Sequence, residues 1–328
     1  MTGKILKVLS LAVGLVLLFW MIHKIGWSEV LVGFERVGWK VVWPIFLIFP
    51  GYLCWAYSWH LFLDRFEHVS SSFQNLLKIK IAGEGANTLT PLNFVGGDPL
   101  RIWLLSKSIP VEIGGASVAV DRTLHSLATV VLIFFGIMAG VFRMNLPRYA
   151  SFLLEISACG ILFLILFFLF FQTRGLFDKI VHLLEKFRIK SFSEETRKKI
   201  KEVDRYVGDF YRRDKMLFFI CFLLNFLGRL AGVAEIYMIA YFLGVPMGVW
   251  ESLFFSAVIP VTNLVGTLVP GTIGILEGVV SSLFLALHWN PADGIVLQMV
   301  RRLRAFFWIV VGMVLMLFFK RQERNNGS

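Results

Sequence analysis

Two short stretches place carboxylates where an apolar chain has least use for them. Pro91-Leu-Asn-Phe-Val-Gly-Gly-Asp98 and Pro270-Gly-Thr-Ile-Gly-Ile-Leu-Glu277 each run from a proline through glycines to an acid seven positions on. A charge near the centre of a bilayer costs about 2.5–3.5 kcal/mol on insertion scales, so it is kept for a pathway, an ion pair or a proton relay. Asp98 and Glu277 are therefore the first candidates. Facing a central cavity and paired with Arg101, Arg122 or Arg301, they could coordinate the amine of a lipid head group or take up protons. The competing reading is a structural ion pair that locks two re-entrant hairpins together.

The residues around them fit the same chemistry. Arg101, Arg122, Arg229 and Arg301 or Arg302 offer guanidinium forks suited to a lipid phosphate. Arg229 sits within an apolar run, where an acid on another helix is the alternative partner. For Arg302 and Arg304, snorkelling to the interface is the favoured reading. Asn87, Thr88, Thr90, Thr262, Asn263 and Thr267 cluster at the two breaks. There they either satisfy backbone groups freed by Pro91 and Pro270 or line the cavity. His125, one turn beyond Asp121-Arg122, reads as a satisfied interior histidine before a proton relay. Glu84 in Ala82-Gly-Glu-Gly-Ala86 lacks the lysine and preceding strand of a phosphate loop. No histidine or cysteine spacing of a metal site and no nucleophile motif is present, so neither metal nor cofactor is expected.

The elements that must hold these groups follow from composition. The chain has 328 residues, 57% of them hydrophobic with 33 Phe, and its mean hydropathy is +0.73. Such a chain is an all-α, polytopic integral membrane protein, with about six to eight spanning helices. The net charge of +11 lies in loops without a nucleic-acid-binding signature, so nucleic acid is not an expected partner. Spans are expected at about 5–22, 41–63, 127–142, 152–171, 216–243 and 294–319, with a short amphipathic stretch at 27–37 lying flat at the interface. Lys4, Lys7 and the apolar run after them read as a retained first helix, since no small-residue cleavage site follows. Broken elements are expected at 87–106 and 250–287, because proline and glycine interrupt a spanning helix. A single membrane domain then divides into halves of about 1–172 and 216–320, joined by a basic loop of two surface helices at 173–215. The basic N-terminus, loop and tail place both termini in the cytoplasm. The two breaks are then entered from opposite sides, as in an inverted repeat, which is a pointer to a transporter's site.

Asn87-Thr-Leu-Thr-Pro91, Gly96-Gly97-Asp98, Arg101, Ala116-Ser117 and Asp121-Arg122, followed by Pro270-Gly271, Gly274, Glu277 and Arg301 or Arg302, resemble the lysylphosphatidylglycerol synthase transmembrane-region, or flippase-like domain, family. The likeness covers about residues 5–320. It departs where Asp98 replaces the usual glutamate and Thr272 stands where glycine is frequent. The resemblance implies a translocase for a phospholipid or lipid-linked head group in a bacterial cytoplasmic membrane. Anionic, aminoacylated or polyprenyl-linked lipids are the implied partners, alongside a lipid-modifying enzyme and a homo-oligomer. With no soluble transferase domain in the sequence, lysine transfer is not expected. The alternatives are a membrane transferase on polyprenyl-phosphate or glycolipid substrates and a non-catalytic partner in a lipid-modifying complex.

Overall fold

Long apolar segments satisfy their backbone donors and acceptors internally as helices. Accordingly, no strand occurs among the described residues. The computed structural model describes residues 16, 18–66, 71–89, 96–143, 148–172, 174–187, 192–265 and 272–326. Most of the expected first span, together with Pro91 and Pro270, lies outside them.

Residues 18–25 are helical and lead to α1 (Trp27–Val37), a 3-10 turn (Gly38–Val41), α2 (Val42–Leu47) and α3 (Phe49–Leu63). Then come α4 (Phe73–Leu89), α5 (Gly97–Leu105), α6 (Val111–Arg143) and α7 (Arg148–Gln172). The basic segment forms α8 (Leu176–Lys186) and α9 (Glu194–Arg213). The second half is α10 (Lys215–Leu243), α11 (Val249–Val265), α12 (Ile275–Ala286) and α13 (Pro291–Asn326). Among the described residues, 27–63, α6, most of α7, α10 and most of α13 are long and apolar enough to cross a membrane. The helices flanking the second break, α11 and α12, are apolar but shorter than the ~20 residues a crossing needs. The protein is thus an all-α polytopic membrane protein.

Two larger apolar cores, with two smaller clusters beside them, hold the helices. One joins α1, α10, α11, α12 and α13 around Ile236, Phe255, Phe284 and Leu297. The other joins α3, α4, α5, α6, α9 and α10 around Trp59, Phe62, Val120 and Phe210. Phe62 and Phe210 meet edge to face, with ring centroids 5.1 Å apart. The basic segment does form two helices, but α9 is more than a solvated face, since its Val207 and Phe210 are buried in the second core. α8 is tied to α9 at its start: Asp204 accepts hydrogen bonds from the Phe177 and Asp178 N–H groups at 3.1 and 2.7 Å. It thereby satisfies donors that the first turn of a helix leaves open. α7 is different, with Phe163, Leu164 and Phe167 exposed, as a lipid-facing helix requires.

Candidate functional site

The site forms where the helices flanking both breaks meet α6, α10 and α13. At the first break, Asp98 stands in the first turn of α5, where unpaired N–H groups favour a negative side chain. Asn87, still within α4, reaches across to it. Its Oδ1 accepts from the Gly97 N–H at 2.8 Å, and its Nδ2 donates to Asp98 Oδ1 at 3.3 Å. The approach of α4 to α5 requires glycines. A Cβ at Gly97 would lie 2.0 Å from the Gly83 carbonyl, and one at Gly83 would lie 2.5 Å from the Arg101 stem.

Asp121 and Arg122 are adjacent on α6 and therefore point to different faces. Asp121, buried, accepts from Lys80 Nζ at 2.6 Å and Arg101 Nη2 at 2.5 Å. Arg101 is fully buried and lies over the Trp59 ring, 4.2 Å from its centroid. Arg122 turns the other way, 3.4 Å from Asp98 Oδ2 and 3.9 Å from Glu84 Oε1. Asp98 also lies 3.5 Å from Arg101. Of the three arginines considered for it, Asp98 lies beside Arg101 and Arg122. Lys80 is a buried member of the cluster that the sequence reading passed over. Its signal was a lysine enclosed by Ile79 and Ile81.

At the second break an acid again stands in the first turn of the following helix. Glu277, fully buried in the first turn of α12, accepts from the Gly274 N–H at 2.9 Å. Asn263, near the end of α11, accepts from the Thr272 hydroxyl across the gap at 2.8 Å. Glu277's cation is Arg302, which donates through Nε and Nη2 at 2.5 and 3.1 Å, and not Arg301. Successive helical positions differ by about 100°, so Arg302 faces α12 while Arg301 and Arg304 share another face. These two meet Glu235 of α10, which is fully buried. Arg301 Nε donates at 3.2 Å, and Arg304 Nε makes a charge contact at 3.1 Å without hydrogen-bond geometry. Snorkelling is thus overturned for Arg302 and Arg304, because interior carboxylates hold both. Glu235 was legible only as an acid inside an apolar run.

Between these clusters lies a cavity of about 630 Å³. Its lining includes Glu84, Asn87, Arg122, His125, Ser126, Arg229, Asn263, Arg301 and Arg304, among apolar and aromatic groups such as Tyr52, Trp55 and Trp308. Of the expected site residues, Asn87, Arg122, Arg229, Asn263 and Arg301 line it. Asp98, Arg101, Asp121 and Glu277 do not, and stand behind the wall. Among the described residues, Arg229 has no acid of another helix at ion-pair distance. Its Nη2 lies 2.6 Å from His125 Nε2, and its guanidinium lies 5.9 Å from the Trp55 ring centroid. Arginine only donates, so Nε2 accepts and the imidazole is neutral.

Helices of crossing length around an arginine-lined interior cavity define a polytopic membrane protein with a polar interior site. The chain belongs to the family described as lysylphosphatidylglycerol synthase TM region, which matches residues 7–312. This family membership makes it a membrane protein of lipid-related function. No curated protein matches the chain.

Proposed function

We propose that the protein is a lipid translocase, in which a phospholipid or lipid-linked head group crosses through the arginine-lined cavity while its acyl chains stay in the bilayer. The observation that carries this reading is the cavity itself. About 630 Å³ is the size of a small-ligand site, and it lies among helices long enough to span a membrane. Four arginines on its wall suit a phosphate. In this reading Asp98 and Glu277 brace the two breaks, and Asn87 and Asn263 border the route. The two halves are related as an inverted repeat, and the membrane is the bacterial cytoplasmic one, with the basic segments inside.

The test is translocation of head-group-labelled lipid in proteoliposomes, read with an impermeant quencher. Wild type should move the label, and Ser126→Trp, which fills the cavity, should reduce movement at least tenfold. A folded Ser126→Trp protein that moves lipid at the wild-type rate would place the route elsewhere.

A further inference from the structure

The charges around the cavity balance on one wall and not on the other. In the first half, Lys80, Arg101 and Arg122 face Glu84, Asp98 and Asp121, three cations against three carboxylates. Arg302 and Glu277 neutralise each other. That leaves Arg229, Arg301 and Arg304, for which Glu235 is the one carboxylate at ion-pair distance among the described residues. Glu235 is taken up by Arg301 and Arg304, and Arg229 has no carboxylate at ion-pair distance among the described residues. Arg229 Nε and His125 Nδ1 are both shut off from solvent without an acceptor. A protonated imidazole would only add a cation beside the guanidinium, so His125 cannot serve as its counter-charge.

Buried cations without counter-ions are costly, and an oxyanion supplies what this wall lacks. We propose that Arg229, with Arg301 and Arg304, forms a phosphate subsite that selects a head group of net negative charge. An aminoacylated head group carries the same phosphate but brings extra ammonium groups to a wall already in positive excess. Glu84 is the one lining carboxylate among the described residues, and it already contacts Lys80 and Arg122. The subsite belongs to the cavity of the proposed translocase, and the test separates the two readings by measuring binding alone.

Purified protein in detergent is titrated calorimetrically with short-chain phosphatidylglycerol, short-chain lysylphosphatidylglycerol and inorganic phosphate. Wild type should bind phosphatidylglycerol at least tenfold more tightly than its lysyl derivative. Arg229→Gln should lose at least tenfold of that affinity, and Arg229→Lys should recover part of it. Equal or tighter binding of the lysyl lipid overturns the selectivity, and unchanged binding by folded Arg229→Gln overturns the subsite. Inorganic phosphate bound as tightly as the lipid would overturn the head-group assignment in favour of a free anion. Should Arg229→Gln fail to fold, the order of the lipids on wild type decides alone. Anionic binding without movement in proteoliposomes sinks the transport reading only, and movement without anionic preference sinks the subsite only.

Discussion

At the scale of single residues, the ion pairs differ in what they do. Asp121 holds two buried cations, Lys80 and Arg101, and faces no part of the cavity. Its role is cohesion of α4, α5 and α6. Removing one partner of a buried pair costs about 3–5 kcal/mol, because the remaining charge is stranded. Asp121→Ala should therefore lower the unfolding free energy by about that amount, read by reversible unfolding in detergent. A loss well under ~1 kcal/mol would mean that water or lipid reaches Lys80 and Arg101, since exposed pairs are worth that little. Asp121 was legible as a candidate only through the Asp121-Arg122 pair that carries the family resemblance. Its separation from the cavity was not, because which face of α6 meets α4 is decided by packing between helices.

At the scale of elements, each break has an asparagine near the end of one helix and an acid in the first turn of the next. Asn87 bonds Gly97 and Asp98 of α5, whereas Asn263 bonds Thr272 ahead of α12 and Glu277 takes the Gly274 N–H. The breaks themselves were readable from proline, glycine and acid spacing. Their limits were less so, since α4 runs on to Leu89 and α11 continues through Pro260. Thr272 has φ +50°, a left-handed conformation that a β-branched residue adopts only under strain. By the family resemblance glycine is frequent at this position, and a left-handed backbone favours it there. Strain of about 1–3 kcal/mol is relieved in Thr272→Gly, against about 1 kcal/mol for the lost hydrogen bond to Asn263 and a similar entropic cost. That variant should stay within about 1 kcal/mol of wild type, whereas Thr272→Ala loses the bond and keeps the strain. Thermal unfolding ranks them, and Ala proving the more stable would contradict the left-handed backbone.

At the scale of the whole molecule, class and family were legible because apolar length and the order of motifs are properties of sequence. The pairing of Arg301, Arg302 and Arg304 was not, because it depends on how α13 is rotated against α10 and α12. The architecture separates a polar cavity from an exposed apolar exterior, and cysteine labelling can read that division. Cys159 is exposed on α7, toward lipid, and Cys221 is buried. In proteoliposomes a water-soluble maleimide should label Ser126→Cys, on the cavity wall, and leave Cys159 and Cys221 unmodified, since the reactive thiolate needs water. Labelling of Cys159 in preference to Ser126→Cys would exchange the inside for the outside. The electroneutral cluster of the first half also limits how the chain can diverge. Lys80, Glu84, Asp98, Arg101, Asp121 and Arg122 form one connected set, so a lone replacement leaves an uncompensated charge in the interior. Lineages should therefore exchange these positions in coupled steps, with the loss of Asp121 accompanied by the loss of Lys80 or Arg101.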